Sequence, residues 1–315
     1  MVEIAPLHPV RVTIDLGPRA RLRDLVTERG GPLFPGSDEP PPMRLRLPRL
    51  IALDLDGTLL PESRLLTDRS RAALRAMEEL GTTVALATGK FLHLAGRYGE
   101  ELGPGVPVVA LDGARVGGKG RQVIESCIAR DTAEEILARY ADLRWDGFMD
   151  DGADELVVRS DTDALPRALA LWAERASRVA DLRGRLRGDP AILAFYGPRS
   201  EMQTISDELA LRHPELRTFL HDSPWLGKTR LTLQPAGTSK GSGLRHLLDL
   251  LGLEPAQCMV FGDWHNDLHM FEVGGVNVAM ANAVDEVKAA AHIVLERSCE
   301  EDGVACFLEQ RFLSG

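Results

Sequence analysis

The chain has 315 residues, enough for one large domain or two moderate ones with a sizeable core, which excludes a tethered peptide or a disulfide-stapled miniprotein. Hydrophobic residues make up 44%, charged residues 27% and aromatics 5%, inside the range of globular proteins and away from disorder or a fibrous repeat. With 37 Lys and Arg against 47 Asp and Glu the net charge is -10, so the overall field repels nucleic acid and anionic lipid, and an anionic ligand must be caught locally.

Residues 1–48 stand apart. Arg11–Asp15 reads as a short strand and Ala20–Glu28 as a short helix, before a linker in which Pro35, Pro40, Pro41 and Pro42 crowd with Asp38 and Glu39. A native start at Met43 is one expectation, because a strand follows almost at once. From Leu50 the pattern alternates apolar strand and amphipathic helix, the signature of a parallel α/β sheet. Ile51–Leu55 is the first strand. Thr67 is placed to cap a helix with Leu74, Met77 and Leu80 at helical spacing, and Gly81 stops it. Strand Val84–Ala87, helix Phe91–Leu102 and strand Val106–Leu111 follow.

Between about Gly117 and Leu233 the rhythm changes to an α+β insert. Its helices are expected at Thr132–Leu143, Ala164–Ala176 and Arg199–Leu211, and its strands include Glu155–Val158, Ala191–Tyr196 and Arg230–Leu233. The βα rhythm then resumes with helix Gly241–Leu251, stopped by Gly252, strand Cys258–Phe261, helix Asn266–Val273 and strand Val276–Ala279. One domain is interrupted by another: 49–116 and 234–315 form the first, 117–233 the second.

The four cysteines, Cys127, Cys258, Cys299 and Cys306, contain no CxxC pair, which disfavours a zinc cluster and a disulfide framework. No apolar run approaches the roughly 20 residues of a membrane helix, and the N-terminus lacks a signal-peptide core, so a cytoplasmic location is expected.

The run Asp54-Leu55-Asp56-Gly57-Thr58-Leu59-Leu60 follows directly on a strand, where ligands sit in open α/β sheets. Gly57 lets the chain turn at once, so that both carboxylates face one crevice. An aspartate can attack phosphorus, and a second carboxyl can protonate the leaving group and then deprotonate water. Read alone, the run is also a strand ending in an Asp/Gly turn. Thr88 and Gly89, at the end of the second strand, suit phosphate oxygens, with a Thr-Gly turn entering a helix as the plainer reading. Lys240, after Thr238 and Ser239 at the mouth of a helix, can neutralise a phosphoryl group or a nucleophilic carboxylate, or be a solvated charge. Gly262-Asp263-Trp264-His265-Asn266-Asp267 adds acids at another strand end. Mg²⁺ takes carboxylate oxygens plus water and substrate oxygens, making Asp54 and Asp263 candidate direct ligands, Asp56 a ligand through its backbone carbonyl, and Asp267 a brace one helical turn on. The plainer reading is an N-cap by Asp263 or Asn266.

The ordered set DLDGTLL, TGK, TSKG and GDWHND resembles the four motifs of the haloacid dehalogenase superfamily, in its phosphatase branch. QPAGTSKG, VAMANAVDEVKAAA and DGVACFL extend the resemblance, over about residues 48–313, to the Cof-type subgroup with a large α+β (type IIB) cap. The resemblance implies a Rossmann-like α/β core with an inserted α+β cap. It implies Asp54 as nucleophile, Asp56 as general acid and base, and Thr88, Gly89 and Lys240 as phosphate grips. Asn266 would contact phosphate or orient Lys240, Asp54, Asp56 and Asp263 would hold Mg²⁺, and Asp267 would support the metal site. Two positions depart from the subgroup: Asp112 stands where Asn is usual, and Lys90 where Arg is usual.

The expected activity is a Mg²⁺-dependent phosphatase of small, sugar-phosphate-like metabolites working through an aspartyl-phosphate. A phosphomutase or phosphotransferase, and a non-catalytic metabolite-binding protein on the same fold, are the alternatives. The expected partner is a small phosphorylated metabolite, with neither nucleic acid nor membrane; monomer and homodimer stay equally open. Other candidates read plainly: His265 as a solvent-facing residue, Trp264 as a packing or pocket-wall residue, Asp150, Asp151, Asp154 and Glu155 as a solvated turn, and Arg183, Arg185 and Arg187 as a basic surface loop.

Overall fold

A computed structural model describes residues 45–117, 124–142, 146–161, 163, 169, 176–223 and 226–314. The expected strand at Arg11–Asp15, the helix at Ala20–Glu28, the proline-rich linker and Met43 lie outside the described residues.

The first sheet has eight strands in the order β14-β13-β12-β1-β2-β3-β4-β5. They are β1 (Leu50–Leu53), β2 (Thr83–Ala87), β3 (Val108–Ala110), β4 (Arg115–Gly117), β5 (Ile124–Glu125), β12 (Cys258–Gly262), β13 (Val276–Ala279) and β14 (Ile293–Val294). All pairings from β14 to β3 are parallel, and β4 and β5 close the edge antiparallel. Continuous apolar runs such as LIAL and CMVFG form these central strands because both faces are covered. Helices α1 (Asp68–Glu79) and α2 (Leu92–Leu102) follow β1 and β2. Thr67 caps α1 as its position suggests, its side chain accepting from Ser70 N at 3.1 Å.

The second sheet has six strands in the order β10-β11-β9-β6-β7-β8. Its strands are β6 (Asp146–Asp150), β7 (Leu156–Arg159), β8 (Ala176–Val179), β9 (Leu193–Gly197), β10 (Leu216–Ser223) and β11 (Lys228–Pro235), with helices α3 (Arg130–Arg139) and α4 (Arg199–Arg212). Every pairing is antiparallel except β7 with β8. The first sheet is then completed around α5 (Lys240–Leu251), α6 (Leu268–Phe271), α7 (Asp285–Ala290) and α8 (Gly303–Leu308).

Four differences from the sequence reading stand out. The strand Ile124–Glu125 pairs with β4, so the chain leaves the first sheet after residue 125 and not at 117. Residues 45–47 belong with the first domain, because Leu45 and Leu47 pack on its core. The expected helix Ala164–Ala176 lies largely outside the described residues, and Ala176 itself opens a strand. In addition, the stretch expected as helix Asn266–Val273 is a single 3₁₀ turn, His265–Asp267, running into the four-residue α6.

The apolar side chains gather in separate clusters. One joins the first sheet to α1, α2, α5 and α8 through Leu74, Ala95, Leu244 and Phe307. A second joins one face of the second sheet to α3 and α4 through Met149, Leu231, Leu233, Ile136 and Ile205. A third lies between the sheets, where Phe148, Ala194 and Tyr196 meet Phe91, Leu111 and Ala114. A polar joint accompanies it: Asp154, after β6, accepts from Leu92 N at 3.2 Å and His93 N at 2.8 Å, capping α2 from the other sheet. Phe91, the residue at the cap position in the chain, supplies no side-chain bond.

The acid run around Asp154 is not a solvated turn. Asp150 and Asp151 are buried, and the buried Arg115 guanidinium reaches Asp150 at 2.8 Å and Asp154 at 3.0 Å. Arg187 bonds Asp151 and Glu155, while Arg183 pairs with Asp181 on the surface. The four cysteines are free, and no helix among the described residues is long and apolar enough to cross a membrane.

Candidate active site

The site is built at the carboxyl ends of β1, β2 and β12, the crevice edge of a parallel sheet. Asp54 leaves β1 still paired, its N–H donating to Phe261 O at 3.2 Å, and its side chain is buried. The Lys240 ammonium, at the start of α5, donates to Asp54 Oδ1 at 2.5 Å and to Asp267 Oδ1 at 2.8 Å. Ser239 caps α5 through a reciprocal bond with Ser242, which fixes the first turn and with it Lys240.

Asp54, Asp263 and Asp267 each present a carboxylate oxygen within 4.8 Å of the others, and all three are buried. Asp267 is fully engaged. Its Oδ2 accepts from the N–H groups of Asp263 and Trp264 at 2.9 and 3.0 Å, and its Oδ1 takes Lys240. Thr58 donates to Asp263 Oδ1 at 2.7 Å. Gly57 has φ 85, and a Cβ there would collide with the Asp263 carboxylate, so glycine is required by both the turn and the approach.

Three acids against one ammonium leave this buried pocket short of positive charge. Burial is the largest influence on Asp54 and holds its pKa well above the ordinary value; Lys240 opposes this and Asp267 and Asp263 add to it. Burial likewise pushes Asp263 up to about 6, against the Thr58 hydrogen bond. On Lys240 burial works downward, but Asp267 and Asp54 outweigh it and keep the ammonium protonated. A divalent cation would relieve the excess negative charge, and the hard oxygen donors are those magnesium takes.

Asp56 stands apart from this cluster. Its carboxylate is about half exposed and meets Lys90 Nζ at 2.5 Å, with Lys90 itself buried. Thr88 is buried on the turn after β2 and accepts from Lys90 N at 3.2 Å. Asn266 donates to Asp112 Oδ1 at 2.9 Å, and the same carboxylate borders Gly89. Asp112 has φ 51 and follows Leu111 with φ 48, a pair of left-handed non-glycine residues held by Asp112 N donating to Thr88 O at 3.1 Å.

Asp54, Asp263, Asp267 and Lys240 are thus brought together, while Lys90 links Asp56 to Thr88 and Asp112 links Asn266 to Gly89. Thr58 and Asn282 carry contacts that the sequence reading assigns to no role, and Lys90 and Asp112 carry contacts where it marks only departures that bear on the substrate pocket. Thr58 was visible in the first motif as a hydroxyl one turn from two acids. Asn282, whose side chain donates to Gly57 O at 2.7 Å, lies in the VAMANAVDE segment. Trp264 is 53% exposed and rests edge-on against His265, so it neither packs inward nor lines a closed wall.

A family model described as haloacid dehalogenase-like hydrolase matches residues 51–308. The chain is 27% identical over 271 residues to the 5-amino-6-(5-phospho-D-ribitylamino)uracil phosphatase YitU of Bacillus subtilis (strain 168), covering 84% of this chain and 98% of that protein. It is 31% identical over 270 residues to the HMP-PP phosphatase of Serratia proteamaculans (strain 568), covering 83% and 94%. Among solved structures, a haloacid dehalogenase-like hydrolase from Bacteroides thetaiotaomicron superposes with a TM-score of 0.74 at 24% identity, covering 84% of this chain and 99% of the other. The HAD subclass IIB sugar phosphatase BT4131 superposes with a TM-score of 0.66 at 19% identity, covering 83% and 98%. The α/β core with an inserted cap is therefore shared with these structures.

Proposed function

The chain belongs to the haloacid dehalogenase-like hydrolase family, and on that premise we propose that it hydrolyses small phosphorylated metabolites through an aspartyl-phosphate on Asp54. The observation that carries the proposal is the buried Lys240 bridging Asp54 and Asp267 beside Asp263. A binding module has no use for so many desolvated acids around one lysine. The relatives' names support a phosphoric monoester as substrate.

In this reading Asp54 attacks phosphorus, and the bond from phosphorus to the leaving oxygen breaks. Asp56 gives its proton to the departing alkoxide, then takes one from water. The resulting hydroxide attacks phosphorus, the bond to Asp54 breaks, and phosphate leaves with Asp54 restored. Lys240 fixes the Asp54 carboxylate, and Thr88, the Gly89 N–H and Asn266 contact phosphoryl oxygens. Asp54, Asp263 and the Asp56 carbonyl would hold magnesium, which when bound neutralises charge on the phosphoryl group. Asp267 braces Asp263 through the backbone.

The test is a magnesium-dependent phosphate-release screen across phosphorylated metabolites, with Asp54→Asn as the blank. Asp54→Asn keeps shape and removes the nucleophile, so loss of roughly 10³-fold or more in turnover is expected with circular dichroism unchanged. Turnover within about tenfold of the parent would overturn Asp54 as nucleophile. An isomeric phosphate ester in place of free phosphate would reassign the chain to phosphoryl transfer between hydroxyls.

A further inference from the structure

The seam between the two sheets holds polar side chains that the chemistry above leaves unused. In the β10–β11 pair Arg217 lies opposite Gln234, and Phe219 opposite Thr232. Opposed and alternate residues of an antiparallel pair share a face, so these four point the same way. The other face carries Leu220, Leu231 and Leu233 into the cluster with α3 and α4. The Arg217 face therefore turns toward the first sheet, and Gln234 reaches it: Nε2 donates to Leu111 O at 3.0 Å. The next residue is Asp112, which holds Asn266 and borders Gly89.

Gln234 and Thr232 are 1% and 2% exposed, yet Gln234 Oε1 and Thr232 Oγ1 make no hydrogen bond among the described residues. Arg217 Nε is also buried without one, and its guanidinium sits 4.9 Å over the Phe219 ring. Unfilled acceptors so deep in a folded protein are rare, and at a seam beside a reaction site a ligand is the simplest occupant. Arg230, two residues before Thr232 and opposite Tyr196, shares this face, so two guanidiniums stand among the acceptors Asp112, Gln234 and Thr232. The complementary ligand is rich in hydroxyls, which both donate and accept.

We propose that Asp112, Thr232 and Gln234 are specificity-determining residues: one from the core and two from the inserted sheet, they accept hydrogen bonds from the leaving group and select polyhydroxylated alcohols over donor-poor ones. This rests on the phosphatase reading. It assigns the Asp at position 112 a purpose that an Asn serves less well, because a carboxylate has only acceptors to offer.

A matched pair of esters tests it: D-ribitol 5-phosphate and n-pentyl phosphate, equal in chain length and different in hydroxyls. Both are assayed with magnesium on the full chain, beside p-nitrophenyl phosphate. The expected ratio of kcat/KM, ribitol ester over pentyl ester, is about 100 or more for the parent, since sites built for hydrogen bonds discriminate strongly against analogues lacking them. Thr232→Val and Asp112→Asn, both close in shape to the parent residues, should each lower that ratio about tenfold. A parent ratio near unity overturns the proposal, as does an unchanged ratio in either variant. So does an equal fall on both esters, which would mark a structural role. If p-nitrophenyl phosphate is cleaved while the ratios fail, the phosphatase reading stands and only this assignment falls. If the parent releases no phosphate from any of the three, the phosphatase reading falls and takes the assignment with it.

Discussion

Lys240 Nζ lies 2.5 Å from Asp54 Oδ1, joining side chains 186 positions apart in the chain. Both are buried, so the contact is made in a medium where an uncompensated charge is costly. Removing one partner of such a pair costs about 3–5 kcal/mol, and Lys240→Met should lower stability by that order in denaturant titration. Asp54→Asn combined with Lys240→Met should recover part of the loss, because the remaining charges are fewer. Strict additivity of the two substitutions would show that the pair is not coupled.

Lys90 and Asp56 form a second contact, from the turn after β2 to the turn after β1. In the proposed cycle Asp56 must reach first the leaving oxygen and then a water, and Lys90 holds its carboxylate in place. Lys90→Met should reduce kcat on D-ribitol 5-phosphate, whose alkoxide needs a proton to leave, by about tenfold or more, short of the roughly 10²–10⁴-fold that a proton-transfer group itself contributes. Lys90→Arg should keep most of it, Arg being the usual residue here in the subgroup that the chain resembles. Equal rates for Lys90→Met and the parent would remove Lys90 from the cycle.

Asp267 uses both carboxylate oxygens to hold Lys240 and the backbone of Asp263 and Trp264. Asp267→Asn keeps the shape but weakens both duties. The magnesium concentration for half-maximal activity should rise about 10- to 100-fold, as outer partners of metal ligands typically cost. An unchanged magnesium dependence would place Asp267 outside that support.

Asp150 predicts a pH dependence of stability remote from the site. Burial raises its pKa from 3.8 to about 6 against the opposing pull of Arg115. Between those values the folded chain binds more protons than the unfolded chain, so the stability Asp150 contributes is full below pH 3.8 and is lost as pH rises through about 6. Asp150→Asn removes that titration. The melting temperature of the parent relative to Asp150→Asn should fall across this window, by an amount that corresponds to no more than about 3 kcal/mol. A difference that is flat with pH would contradict the shift.

Much of this was readable from local chemistry. Thr67, Gly252 and the apolar runs of β1, β12 and β13 act within a few residues, so the α/β alternation and its interruption follow from spacing. Asp54, Asp263 and Lys240 were recognisable because each sits in a short motif at a strand or helix end. Contacts between distant segments were not readable. Lys90 meets Asp56 across 34 positions, and Asn266 meets Asp112 across 154, and nothing in either neighbourhood names the partner. The acid run 150–155 reads as a solvated turn for the same reason: its counter-ion, Arg115, arrives from β4 of the other sheet. The edge itself was missed because β5 has two residues, too few for alternation to register.

The cap on α2 ties the two lobes together through more than their connecting strands. Asp154 belongs to one lobe, and the two amides it satisfies open a helix of the other, directly beyond the Thr88-Gly89-Lys90 turn. Swinging the lobes apart would strip that helix of its terminus, at about 1 kcal/mol for a lost cap, and would loosen the turn expected to cradle phosphate. Asp154 is thus a clasp that belongs to one lobe and fastens the other, next to the turn where phosphate is expected to sit.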